Sequence, residues 1–237
     1  MKKLILSLAL CCAATTFFAQ EADLAKLRND GIAALEAKDY QSAYNNFSSY
    51  LNQTNNQDSV IAFNCGLCAD KIKKPADALK YFDIAVQKKY NLVNAYIGKA
   101  GALKDLKKTD EYLATIKEGL KEVPGDKSLT KMYVTHYLNT GIIAQKAGKT
   151  AAAEEAFKEV LNVQENNTNA LFSLGVLKYN DASKTLATDR AKAKTIYTEA
   201  KGYLESVSKL LTNPKQKPML DNVNTMLQQI DIQLQAE

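Results

Sequence analysis

The sequence repeats itself with a period of roughly 34 residues, and this constrains its fold more than any other feature. Gly31 is followed at fixed distances by an alanine, Ala43, and then by an aromatic ring, Phe47. The same spacing of glycine, alanine and phenylalanine begins again at Gly66 and at Gly141. Degenerate copies begin at Ala100 and Gly175, and the step from Ala100 to Gly141 is the longest. Such a period predicts an array of similar structural units.

Each copy is predicted to be a pair of amphipathic helices of about 12–15 residues, because apolar residues recur at three- and four-residue steps. A small residue on the first helix and an alanine on the second let the two backbones approach closely. The aromatic residue four positions after the alanine lies on the same helix face and fills the wedge between neighbouring units. Turns are predicted at Lys38-Asp39, Lys74-Pro75 and Gly148-Lys149. One such pair cannot bury its own apolar face, so several pairs must stack.

This spacing of small, aromatic and turn residues resembles the tetratricopeptide repeat (TPR) family. The resemblance implies an all-α fold, a right-handed superhelical α-solenoid of helix-turn-helix units. Five units are expected within residues 20–212, at 24–57, 59–92, 93–126, 134–167 and 168–207. Residues 178–190, which lengthen the fifth unit, are expected to form a surface loop. Residues 213–237 are expected to form a capping helix, whose apolar face consists of Leu220, Val223, Leu227, Ile230 and Leu234.

The first helices of TPR proteins line a concave groove that receives peptides or protein segments, and the resemblance implies the same here. The residues three before, one after and four after each packing glycine fall on one helix face and define a predicted interaction stripe. The stripe is mainly apolar, which is typical of a binding surface. An alternative is that the chain's own helices or C-terminal tail cover it. The candidate residues are Arg28, Ile32, Leu35, Phe63, Leu67, Asp70, Ile97, Lys104, Leu138, Ile142, Gln145, Phe172, Val176 and Tyr179.

Neither composition nor motifs favour an enzyme or a nucleic-acid-binding protein. Beyond residue 20 the chain has 29 basic and 26 acidic side chains, interspersed and without the basic stripe that phosphate backbones require. Cys65 and Cys68 are three residues apart, as in thiol-disulfide motifs, but the repeat places them in the middle of a helix, where cysteine is typically a small buried apolar residue. His136 is the single histidine, and no cysteines lie close to it in the sequence to complete a metal site. No catalytic residue, metal or cofactor is therefore expected.

The N-terminus reads as a secretory signal peptide of residues 1–19. Lys2 and Lys3 precede an uncharged run from Leu4 to Ala19, which is shorter than the roughly 20 residues that span a bilayer. Cleavage after Ala19 predicts an exported, periplasmic protein without a membrane span. An alternative is a lipoprotein acylated at Cys11 or Cys12.

The sequence therefore predicts a non-enzymatic exported scaffold or adaptor that binds envelope proteins and serves the assembly of a cell-envelope complex. The oligomeric state is left open. The alternatives are an outer-membrane-anchored lipoprotein subunit of such an assembly and a periplasmic thiol-redox protein that uses Cys65 and Cys68.

Overall fold

The computed structural model describes residues 21–236, and every regular element in that range is helical. The proposed signal peptide, with Cys11 and Cys12, lies outside the described residues. A single 3-10 turn, Pro214–Gln216, precedes the last helix. The α-helices are α1 (residues 21–36), α2 (Tyr40–Gln53), α3 (Ser59–Lys71), α4 (Pro75–Gln87), α5 (Leu92–Asp105), α6 (Thr109–Glu122), α7 (Lys127–Lys146), α8 (Thr150–Val163), α9 (Thr168–Thr185), α10 (Arg190–Leu210) and α11 (Lys217–Gln235).

The helices form two compact units, unit 1 up to Leu129 and unit 2 from Thr130. Within unit 1, α2 packs on α3, α3 on α4, α4 on α5 and α5 on α6. Within unit 2, α8 packs on α9, α9 on α10 and α10 on α11. These helices therefore pack mainly on their neighbours in the chain. The prediction of an all-α fold built from consecutive packed helix pairs is confirmed, whereas the boundaries of the five repeats stay a prediction.

The sequence predicts that each aromatic ring fills the wedge between units, and the structure shows that the ring also packs on a glycine of its own helix pair. A Cβ added to Gly31 would lie 2.5 Å from the ring of Phe47, and one added to Gly141 would lie 2.5 Å from the ring of Phe157. Both rings are fully buried. Phe82 has a glycine on each side, because an added Cβ would lie 3.0 Å from its ring at Gly66 and 2.5 Å from it at Gly98. The aromatic ring fills the space that a side chain on the first helix would need.

In the first four helix pairs the turns between first and second helices share one geometry. Each has a residue with positive φ, namely Lys38 (61°), Lys73 (60°), Lys107 (60°) and Gly148 (70°). The residue after it donates a backbone hydrogen bond to a carbonyl five positions back, as Asp39 does to Ala34 at 2.9 Å. This C-terminal cap ends the first helix, and the second helix begins two residues after the residue with positive φ.

The fifth pair differs from its prediction. Residues 178–190 are not a surface loop, because α9 continues to Thr185 and α10 begins at Arg190. The added residues extend the helices instead, and Ala182 in the extension is fully buried. The helix crossing also moves, since an added Cβ at Gly175 would meet Leu204 at 2.7 Å. The inserted residues thus add helical turns that bury further apolar surface.

The last helix, α11, packs on α10 through the predicted face. Val223 and Ile230 are fully buried in the cluster that contains Leu204 and Val207 of α10. The other three residues of the face are half-buried against the same cluster: Leu220, Leu227 and Leu234. The polar face of α11 is exposed at Asp221, Asn224, Gln228 and Gln235. A C-terminal helix that covers the apolar side of α10 is therefore confirmed.

The glycine contact predicts opposite effects of alanine at two positions in unit 2. Gly141→Ala should lower the free energy of unfolding by about 1–3 kcal/mol, because its Cβ would overlap the buried ring of Phe157. Gly202→Ala should raise it by about 0.5–1 kcal/mol, because Gly202 lies within α10 with no atom within 4 Å of an added Cβ. Urea unfolding followed by circular dichroism measures both. Equal stability of Gly141→Ala and the wild type would contradict the packing.

Candidate functional site

In unit 1 the predicted interaction stripe combines accessible and buried side chains. Leu67 in α3 is 37% exposed. Phe63, one turn earlier, is only 7% exposed, and its ring packs edge-to-face on Phe82 and Tyr90 with ring centroids 5.8 Å apart in each case. Phe63 therefore contributes mainly to the core of unit 1. Of the other stripe residues, Arg28 and Lys104 are exposed, and Ile32, Leu35, Asp70 and Ile97 are half-buried.

In unit 2 the stripe runs along α7 and α9. Ile142 in α7 is 41% exposed. Tyr179 in α9 donates a hydrogen bond from its hydroxyl to Oε1 of Gln229 in α11, at 2.7 Å. The C-terminal helix therefore contacts one end of the stripe, at Tyr179. This contact is an instance of the self-covering arrangement that the sequence left open. The remaining stripe residues of unit 2 are half-buried: Leu138, Gln145, Phe172 and Val176.

Sequence reasoning missed two accessible apolar residues on first helices. Val60 is 37% exposed and lies two turns before Leu67, on the same face of α3. Extending the stripe by one further heptad step would have found it. Ile143 is 68% exposed, although the corresponding residues of α3, α5 and α9 are buried. No pattern within its own repeat indicates this exposure.

Lys178 occupies a position at which other first helices carry alanine or leucine. Its Nζ lies 3.0 Å from Oε1 of Glu154 in α8 and 2.9 Å from Oε2 of Glu199 in α10. Burial alone would lower the pKa of Lys178, but the hydrogen bonds and charges of the two carboxylates outweigh it and raise the pKa. The ammonium group stays protonated and joins three helices. This suits a structural role and not that of a nucleophile, which requires a neutral amine.

Cys65 and Cys68 are free thiols, both fully buried in α3. The Sγ of Cys65 donates to the backbone carbonyl oxygen of Tyr44 at 4.0 Å. Burial raises the pKa of both thiols, that of Cys68 to about 11. Because the thiolate is the reactive form of cysteine, neither residue has the environment of a redox centre. The packing matches the structural role predicted from their position in the helix.

Between residues 21 and 236 no group of three or more His, Cys, Asp or Glu side chains could hold a metal ion. His136 stacks edge-on against Tyr137 at 5.2 Å between ring centroids, and burial lowers its pKa.

In unit 1 an open concavity of about 410 Å³ between α4, α5 and α6 is lined by charged groups, of which Lys99 and Asp83 form an ion pair at 2.6 Å. No helix in residues 21–236 is long and apolar enough to cross a membrane.

Comparison with solved structures finds a close relative. A TPR repeats protein from Bacteroides fragilis is 41% identical, with a TM-score of 0.77, over 88% of this chain and 98% of that chain. The TPR domain of P58(IPK) is 17% identical with a TM-score of 0.47, over 91% of this chain and 68% of that one. A tetratricopeptide repeat protein from Parabacteroides merdae is 13% identical with a TM-score of 0.44, over 91% and 81%. No family model and no curated protein matches the sequence.

The burial of the two cysteines predicts that they do not react in the folded protein. At pH 8 a thiol reagent should modify neither Cys65 nor Cys68 until denaturant is added, when both react. Folding raises the pKa of the thiols above the ordinary value of about 9. The protonated thiols therefore stabilise the folded state below about pH 9, and this contribution to the free energy of unfolding is lost as the pH rises towards about 11. Rapid modification of either thiol in folded protein at pH 8 would reinstate the redox alternative.

Proposed function

Because the chain belongs to the tetratricopeptide repeat proteins, we propose that it is a non-enzymatic scaffold or adaptor that binds segments of partner proteins through the interaction stripe. One observation carries the proposal: the stripe keeps large apolar side chains accessible in both units, Leu67 at 37% and Ile142 at 41%. Accessible apolar residues that align along helix faces favour binding of an apolar segment, because burying them removes that surface from water.

The two units present different chemistry along the stripe. In unit 1 the accessible Leu67 has charged neighbours on the stripe at both ends, with Arg28 and Lys104 exposed. The guanidinium Nε of Arg28 lies 3.7 Å from Oδ2 of Asp58, so part of its charge is already compensated. In unit 2 the stripe carries no ionisable side chain except the phenol of Tyr179. A partner segment with apolar residues at helical spacing suits both units, and charged flanks suit unit 1 alone.

Export and a role in the cell envelope form part of the proposal and rest on residues 1–19. In that account the protein acts in the periplasm, with envelope proteins as partners in the assembly of a complex. The alternative of an outer-membrane lipoprotein rests on Cys11 or Cys12. The two differ in covalent structure, since signal-peptide cleavage leaves residues 20–237 without a lipid.

The stripe hypothesis predicts that Leu67→Glu abolishes capture of specific partners. The charge would enter an accessible apolar site, so folding should be little affected while an apolar partner segment is repelled. Wild type and variant are expressed in the native host, purified from the periplasmic fraction with cross-linked partners, and compared by quantitative mass spectrometry.

Cleavage of the signal peptide is tested in the same preparation, because the intact mass of the wild type should equal that of residues 20–237.

The matched control is Val163→Glu. Val163 is 38% exposed, almost the same as Leu67, but it lies at the end of the second helix α8, off the stripe. Partners lost with Leu67→Glu and retained with Val163→Glu support the proposal. If folded Leu67→Glu retains every partner of the wild type, the stripe of unit 1 is not the interface.

A further inference from the structure

Ile143 in α7 is the most exposed large apolar side chain between residues 21 and 236, at 68%. It lies two positions after the packing glycine Gly141 and does not belong to the interaction stripe. Its counterparts in α3, α5 and α9 are buried, with Cys68 at 0%, Ala102 at 1% and Leu177 at 6%. The same helix position is therefore a core position in three helices and an open one in α7.

A helix covers each of the buried counterparts. Cys68 belongs to a core cluster with residues of α2, Ala102 to one with residues of α4, and Leu177 to one with residues of α8. In each case the cluster contains the second helix of the preceding pair and its buried phenylalanine. Ala33 in α1, the first helix of the described chain, holds the same position and is exposed. The position two after the packing glycine is thus one that packs against the apolar face of a second helix when such a helix precedes it.

The length of α7 accounts for the difference. Ile143 lies about four and a half turns after the first residue of its helix, whereas Cys68, Ala102 and Leu177 lie between about two and a half and three turns after theirs. The excess of nearly two turns corresponds to about 10 Å of helix. Leu129 in these added turns is fully buried in the core of unit 1. On this face of α7 the side chain of Leu129 is therefore fully buried, whereas that of Ile143 is exposed.

The segment of the chain that contains Ile143 carries lysines and no acidic residue. No Asp or Glu occurs between Asp126 and Glu154, a stretch that contains Lys127, Lys131, Lys146 and Lys149. Lys146 lies one turn after Ile143, and neither Lys131 nor Lys146 forms an ion pair with any residue in the range 21–236. Two of the next acids along the chain, both in α8, are engaged elsewhere, whereas Glu155 is exposed. Glu154 pairs with Lys158 and Lys178, and Glu159 accepts a hydrogen bond from Tyr133.

We propose that the α7 face, defined as Asn139, Ile143 and Lys146, docks an acidic amphipathic helix of a separate partner protein. The helical form follows from the cover that the three buried counterparts receive, and the acidic character follows from Lys146, which is exposed and forms no ion pair with any residue in the range 21–236. The apolar ridge of the partner helix buries Ile143, and a flanking carboxylate faces Lys146. This surface is distinct from the interaction stripe, so it provides a second binding site whether or not the stripe binds.

Two synthetic peptides test the proposal. The first has the sequence of α2, Tyr40–Gln53, which carries no charge and whose Phe47 and Leu51 share a cluster with Cys68. The second carries glutamate at the four exposed positions Gln41, Asn45, Ser49 and Asn52. Both peptides are capped and fluorescently labelled, and their binding to residues 20–237 is measured by anisotropy at low salt.

The acidic peptide should bind the wild type about tenfold more tightly than the neutral one, and the difference should vanish at high salt because screening removes the attraction of the lysines. Ile143→Asp should weaken binding of both peptides by about tenfold or more, since the buried apolar contact is lost. Lys146→Glu should weaken binding of the acidic peptide alone. The matched control is Ile232→Asp in α11, where Ile232 is 64% exposed, and it should change neither affinity.

Three results would overturn the proposal. The first is that neither peptide binds the wild type at millimolar concentration. The second is that folded Ile143→Asp binds the acidic peptide as tightly as the wild type. The third comes from sedimentation of the protein alone: a wild-type dimer that Ile143→Asp converts to a monomer would show that a second copy of this chain covers the face.

Discussion

The contact between a buried phenylalanine ring and the backbone of a neighbouring helix determines how these helices pair. Phe82 shows it most fully, because Gly66 lies on one side of its ring and Gly98 on the other. A side chain at either glycine would overlap a fully enclosed ring that has nowhere to move. The ring therefore fixes how closely three helices approach one another. The accessible faces of the first helices depend on that spacing, since it decides which residues are left outside the core.

Much of this could be predicted from the sequence because the packing is periodic. The spacing predicts small residues at the helix crossings and places Phe47 and Phe157 in the wedges between units; the structure adds that these rings pack directly on Gly31 and Gly141. The departures have local causes. The spacing predicts that the degenerate copy begins at Ala100, whereas the glycine that meets the ring of Phe82 is Gly98. The expected loop at 178–190 is helical, because Ala182 and other small or apolar residues in it can be buried when both helices lengthen.

The candidate site was less predictable than the fold, because exposure depends on what packs around a residue as well as on its helix face. Phe63 and Leu67 occupy the same stripe, yet Phe63 is enclosed by Phe82 and Tyr90 while Leu67 is accessible. Ile143 occupies the position of the buried Cys68, yet nearly two added helical turns precede it. Helix periodicity gives the direction of a side chain. The neighbour that covers it follows from the lengths of the elements, which the period alone does not specify.

The central claim, that the phenylalanine ring requires a bare backbone at the crossing, is tested most directly by a double-mutant cycle of Gly141→Ala and Phe157→Leu. Urea unfolding gives the cost of the alanine in both backgrounds. Leucine leaves room for the added methyl group, so the cost should fall by about 1 kcal/mol or more when Phe157 is replaced. The same cost in both backgrounds would mean that the ring does not set the helix crossing, and would contradict the account.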